Sequence, residues 1–233
     1  MHGQPLTREE APNLYALLDR IGTGVGAPRT DAVALGGMVN AAFGTYGWRR
    51  RRLVMIGYPL WLILTPQERI ALLAHEMAHS SNNDARHGLF VGSALHSLRE
   101  LRADELGARV AGGPAMVSML DALTTRLPSA ETFLEPSAVV VGASDLWDKL
   151  RASVAAVPDE ELERRRQAAR EEKARVDGTH PPTYLRMERA RLLPYVEGEV
   201  GAAEVEKVEP ELEQAACRVA GTIRDAARSA LYH

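Results

Sequence analysis

Residues 66–84 read PQERIALLAHEMAHSSNND, and within them stands His75-Glu76-Met77-Ala78-His79. On a helix, positions four apart share a face one turn along. His75 and His79 can therefore direct two imidazoles at one zinc ion, and Glu76 can reach a water bound to it. Zinc takes such ligands at about 2.0–2.1 Å, and a catalytic zinc keeps one position open for water. The helix itself is well marked. Thr65-Pro66-Gln67-Glu68 supplies an N-cap threonine, a proline at the first helical position and a glutamate at the third. Ile70, Leu73 and Met77 recur at three- and four-residue spacing, and Ala71, Leu72 and Ala74 widen the stripe, so the helix is expected to be buried on most sides. Alone, the HExxH spacing is only moderately specific, because a helix with two ordinary histidines also carries it.

Around this stretch the chain has 233 residues, which suits one large domain or one domain with appendages. A formal net charge of −3 gives no case for a nucleic-acid partner. The single cysteine, Cys217, cannot form an internal disulfide, which fits a reducing compartment. Met1 to Glu10 is polar and lacks the apolar region of a signal peptide. The most apolar run, Leu53 to Leu64, is 12 residues long and interrupted by Gly57 and Pro59. A membrane-spanning helix needs about 20.

Upstream of the zinc helix, Leu14, Leu17, Leu18 and Ile21 mark a first helix. Gly22, Gly24 and Gly26 follow that helix instead of a strand, so they read as a stop and turn. Ala32 to Leu35 and Leu53 to Ile56 read as strands, with Arg49 to Arg52 as a basic, solvated hairpin end. Downstream, Leu98 to Val110, Ala115 to Leu127, Pro158 to Val176, Thr183 to Leu193 and Glu211 to Leu231 read as helices. Pro128 to Ser144 is ambiguous. Two or three strands packed on helices suggest an α+β domain. The expected division is a main domain over residues 1–195 and a helical extension over 196–233.

HExxH supplies two ligands, and Glu100 is the best candidate for the third, standing 21 residues after His79. Asp104 lies one turn beyond Glu100 on the same face. A zinc-bound histidine usually donates its second ring N–H to a carboxylate, carbonyl or water, and Asp104 can take that place. Read singly, Glu100 and Asp104 are also ordinary carboxylates of a charged helix.

HEMAHSSNND followed by RELRADELGA resembles the HExxH…ExxAD pattern of the HtpX-like and CAAX prenyl endopeptidase family of zinc metallopeptidases, which are gluzincins. Glu100-Leu101-Arg102-Ala103-Asp104 matches ExxAD at every fixed position. Asn82 and Asp84 match an N-x-D after the zinc helix. Thr179-His180-Pro181-Pro182 with Arg186 and Arg189 resembles the late THP segment, and Asn40-Ala41 with Phe43 the early N-A segment.

The resemblance implies a mainly helical, zincin-type α+β fold with a small antiparallel sheet. It implies one Zn2+ held by His75, His79 and Glu100, with Glu76 as general base and then acid. Asp104 would orient a zinc histidine. His180 and Asn40 would bind the oxyanion or the substrate backbone, although each also suits a local structural role beside a helix or turn. Leu53 to Ile56 would be the edge to which an extended peptide adds. The implied activity is endopeptidase cleavage of protein substrates, in the cytoplasm or on the cytoplasmic face of a membrane. Many relatives carry transmembrane helices; here only Gly88 to Leu95 is apolar between the two motifs. The competing reading is a latent or non-catalytic zinc-binding module of the same fold. Oligomeric state has no signature in the sequence.

Overall fold

The Thr65–Glu68 capping box closes as its sequence pattern requires. In the computed structural model, which describes residues 3–81, 93–135, 145–171 and 181–231, the Thr65 N–H donates to Glu68 Oε2 at 2.8 Å. The Glu68 N–H faces Thr65 Oγ1 at 3.4 Å. Glu68 does more than cap. It is buried, and it also accepts hydrogen bonds from the Ser118 hydroxyl and the Arg126 guanidinium. The helix so started, α3, runs Pro66–Ser81.

Helix α3 is buried on most sides. Ile70, Ala71, Leu72, Leu73, Ala74, Met77 and Ala78 all belong to the core. It is packed by α1 (Pro12–Val25), α4 (Ser93–Ala111), α5 (Gly113–Thr125) and α10 (Ala202–Glu206). The remaining helices are α2 (Tyr58–Ile63), α6 (Leu127–Leu134), α7 (Leu146–Ala155), α8 (Asp159–Glu171), α9 (Thr183–Arg191) and α11 (Glu209–Leu231). The first half of the ambiguous Pro128–Ser144 stretch therefore falls in α6, and the second half lies outside the described residues.

The most extensive helix pairing is α3 with α4, and Gly107 lies at the contact. A Cβ at Gly107 would make ordinary contact with α3, 3.4 Å from the Ala71 carbonyl oxygen and 3.5 Å from the His75 backbone nitrogen; the atom it would displace is the Met116 methyl of α5, 2.2 Å away. Ala103, fully buried one turn earlier, keeps the same face small. The α4 backbone thus lies directly against the turn of α3 that carries His75.

Four strands form one sheet: β1 (Gln4–Leu6), β2 (Ala32–Gly36), β3 (Ala41–Tyr46) and β4 (Arg51–Gly57), in the order β1-β2-β4-β3. The sheet is mixed, where an antiparallel one was expected, because β4 runs parallel to β2 and antiparallel to β3. The chain leaves β2, crosses the end of the sheet through residues 37–40, runs out along β3 and returns by a hairpin into the gap. That crossing passes over Gly57. Any Cβ there would meet the Met38 carbonyl oxygen at 2.0 Å, and the Gly57 N–H donates to the Asn40 carbonyl at 2.8 Å. The same topology corrects the expected peptide-binding edge. Leu53 to Ile56 lies in β4, which is paired on both sides; the edges are β1 and β3, and β3 is the one that contacts α3.

Residues after 195 share this core. Val200, Val205, Val208, Leu212 and Val219 join the same apolar cluster as α1 and α3. The Glu211 carboxylate accepts the N–H groups of Asn13 and Leu14 at 2.8 and 2.9 Å, at the start of α1. Glu209 pairs with Arg69 near the start of α3.

Breaking a buried, hydrogen-bonded ion pair costs about 3–5 kcal/mol, and losing a helix cap about 1 kcal/mol. Because Arg126 is partly exposed, Glu68→Ala is expected to destabilise the protein by roughly 3 kcal/mol, measured as a lower urea midpoint with an unchanged slope. A change below about 0.5 kcal/mol would contradict the joint role of Glu68 as cap and ion-pair partner.

Candidate metal centre

His75 and His79 sit one turn apart in the C-terminal half of α3, and Glu100 reaches them from α4. The ligand atoms of these three residues all lie within 4.8 Å of one another. His75 Nε2 and His79 Nε2 are 3.3 Å apart, with the rings at 87°. Glu100 Oε2 is 3.5 Å from His75 Nε2, and Glu100 Oε1 is 3.3 Å from His79 Nε2. These spacings test the fit of a metal ion. Four ligands held tetrahedrally at zinc's bond lengths of 2.0–2.1 Å are separated by about 3.3 Å. Two imidazoles and a carboxylate at that separation fit zinc with one position left over.

The other nitrogen of His75 is fixed. Asp104 Oδ1 stands 2.9 Å from His75 Nδ1. An Nδ1–H donated there leaves Nε2 as the metal-facing lone pair. Asp104 is held in turn by Arg186 from α9, whose Nε donates to Oδ2 at 2.8 Å and Nη2 to Oδ1 at 2.6 Å. Arg186 Nη1 also lies 3.5 Å from Glu100 Oε2. Glu100, Asp104, His75 and Arg186 are all buried, at 1, 3, 5 and 6 % exposure. His79 and Glu76 are half-buried and stand at the solvent side of the group.

Burial penalises every charge here, and the partners outweigh it. It pushes the Asp104 carboxyl up, but hydrogen bonds from Arg186 and His75 hold it below the usual carboxylate range. It opposes the Arg186 charge, but Asp104, Glu100 and Glu76 keep the guanidinium pKa above its ordinary value. It pushes the His75 imidazolium down, but hydrogen bonds to Asp104 and then Glu100 raise its pKa to about 9. Without a metal, then, His75 holds its proton more tightly than a free imidazole does. A divalent ion must displace that proton to bind.

The structure brings His75, His79, Glu100 and Asp104 together. It places Asn40 on the surface, at the entry to β3, engaged through its carbonyl with Gly57. Asn82, Asp84 and His180 lie outside the described residues. Arg186 is the residue to which sequence reasoning assigned no role. Its signal was positional. The buried face of α9 is Arg186, Met187 and Ala190, so Arg186 falls where apolar residues are expected. An arginine there needs a carboxylate partner.

Removing the hydrogen-bond acceptor behind a metal-bound histidine costs about 10- to 100-fold in metal affinity. Asp104→Ala is expected to weaken zinc binding by at least that factor, read by competition with a chelating dye on protein whose fold is verified by circular dichroism. An unchanged affinity would remove Asp104 from the support of His75.

Comparison with known proteins agrees with this arrangement. The family model for peptidase family M48 matches residues 9–193. A protein described as "Protease HtpX homolog", from Syntrophobacter fumaroxidans, is 31 % identical over 81 residues, covering 35 % of this chain and 29 % of that protein. The match thus spans under a third of that relative. No solved structure is significantly similar. With its helices, its small sheet and most of its length matched, the chain belongs to peptidase family M48.

Proposed function

We propose that this protein is a zinc-dependent endopeptidase that hydrolyses peptide bonds in protein substrates. The observation that carries the proposal is the convergence of His75, His79 and Glu100 at tetrahedral spacing, with Asp104 and Arg186 locking His75 from behind. Zinc held by the three ligands would lower the pKa of a bound water to about 7 and polarise the scissile carbonyl. Glu76 follows His75 in sequence and is half-buried beside the ligands. It is the general base: it takes the proton of the attacking water and then delivers it to the leaving amine. Asp104 keeps the His75 ring in one tautomer throughout, and Arg186 keeps Asp104 ionised and oriented.

The substrate backbone adds to the free edge of β3, which contacts α3. Asn40, at the start of that edge, is assigned to the substrate backbone. His180 is assigned to the carbonyl oxygen as negative charge develops; its assignment rests on the Thr179-His180-Pro181 segment alone. The single cysteine supports a cytoplasmic site or the cytoplasmic face of a membrane. Among the described residues, no helix is long and apolar enough to cross a membrane.

A latent module of the same fold is the second reading. Among the described residues, α6 packs chiefly on α2, α5 and α7, and Glu209 of α11 pairs with Arg69 of α3. The test measures zinc content and casein cleavage together, for the wild type and for Glu76→Gln. Zinc near one per chain in both, with cleavage falling about 10²- to 10⁴-fold in the variant, is the expected result. Equal cleavage by the variant would remove Glu76 from the mechanism. Zinc in both without cleavage in either would favour the latent module.

A further inference from the structure

The hairpin joining β3 to β4 carries an unusual surface. Its tip reads Tyr46-Gly47-Trp48-Arg49-Arg50-Arg51-Arg52. Trp48 is 88 % exposed, and the Arg49 guanidinium sits 5.2 Å over its ring. Arg52 pairs with Asp31 at 3.0 Å. Among the described residues no carboxylate forms an ion pair with Arg49, Arg50 or Arg51, and all three are exposed. A chain with a formal net charge of −3 thus concentrates four consecutive positive charges beside its most exposed tryptophan.

The sheet behind the tip continues the surface. Val54 and Ile56 face the core, so their neighbours Leu53 and Met55 face outward and are only half-buried. Ala42 and Gly44 pair with Met55 and Leu53 in the same outward row, and Tyr46 pairs with Arg51. Met38, at 71 % exposure, ends the strip opposite the tip. The result is an apolar strip that ends in an exposed indole and a basic cluster.

We infer that this hairpin and the outer face of the sheet dock on an anionic phospholipid bilayer. Indole rings favour the level of lipid headgroups, where one side is apolar and the other wet. Arginines beside them are attracted to acidic lipids, each by about fivefold in binding at moderate salt. An acidic tract would satisfy the arginines alone, whereas Trp48, Met38 and the Leu53–Met55 strip suit a surface that is anionic outside and apolar beneath. Docking in this way would hold the free edge of β3 next to the membrane surface.

Trp61 and Trp147 are buried, so tryptophan fluorescence changes on docking report Trp48. The full chain is mixed with vesicles of phosphatidylcholine containing 30 % phosphatidylserine, and separately with pure phosphatidylcholine. Co-sedimentation with the anionic vesicles only, a blue shift of emission and quenching by brominated lipid are expected. Substituting Arg49, Arg50 and Arg51 together by glutamine is expected to weaken binding about a hundredfold, and raised salt to weaken it likewise. Trp48→Ala is expected to lose the shift and weaken binding, with an unchanged circular dichroism spectrum in both variants. Absence of sedimentation with either vesicle, or equal binding by the triple variant, would overturn the inference. Binding to polyglutamate without binding to vesicles would overturn it too, and would assign the patch to an acidic protein partner.

Discussion

Two carboxylates, Glu100 and Asp104, are carried into the interior on one face of α4, where an isolated charge would be prohibitively expensive. They are tolerated because three cationic or proton-binding groups arrive from two other helices. His75 and His79 come from α3 and Arg186 from α9. The geometry leaves little freedom. Glu100 must face both Nε2 atoms, and Asp104 must face Nδ1 of the same His75 ring, one helical turn away. A close α3–α4 approach meets both conditions, with the small residues Ala103 and Gly107 at the contact. The rest of the core can be read as support for this pairing. The Glu68 cap fixes where α3 starts, and α1, α5 and α10 hold its other sides.

Breaking the cluster by truncating one member would leave an uncompensated buried charge, so its residues are coupled in stability as well as in chemistry. Hydrogen bonds to Asp104 and then Glu100 raise the His75 pKa to about 9, so its imidazolium offsets the buried Asp104 carboxylate.

Much of the site was legible because it is built from helical periodicity. HExxH and ExxAD are each one turn long, and a four-residue spacing translates directly into a shared face. The capping box at Thr65 and the buried stripe of α3 are local in the same sense. The sheet was harder. Alternation identifies strands but not their neighbours, so nothing in Leu53 to Ile56 revealed that β3 would lie outside it. The order follows from the crossing over Gly57, a contact between backbone atoms of residues 38–40 and 57 that no side-chain pattern encodes. Arg186 was obscured for a related reason. Its partner Asp104 stands 82 positions earlier, and an arginine in a charged helix looks solvated until its face is known. Helix α7, with Trp147 donating to the Ala216 carbonyl at 3.0 Å, was likewise absent from the sequence reading.

The two halves of the molecule divide the work by rigidity. The ligands ride on α3 and α4, which are long, buried and tied by close backbone contact. A site on such elements keeps its geometry better than one on loops. The strand proposed to take substrate is different: β3 is an edge strand, paired on one side only, and its residues from Gly44 onward are exposed. An unpaired edge is a liability in a free protein, because it can template association with other strands. Two features blunt it here: the strand is short, and the hairpin beyond it is dense in arginine. The edge can therefore remain open for an extended peptide while like-charge repulsion between hairpin tips opposes pairing of one copy with another.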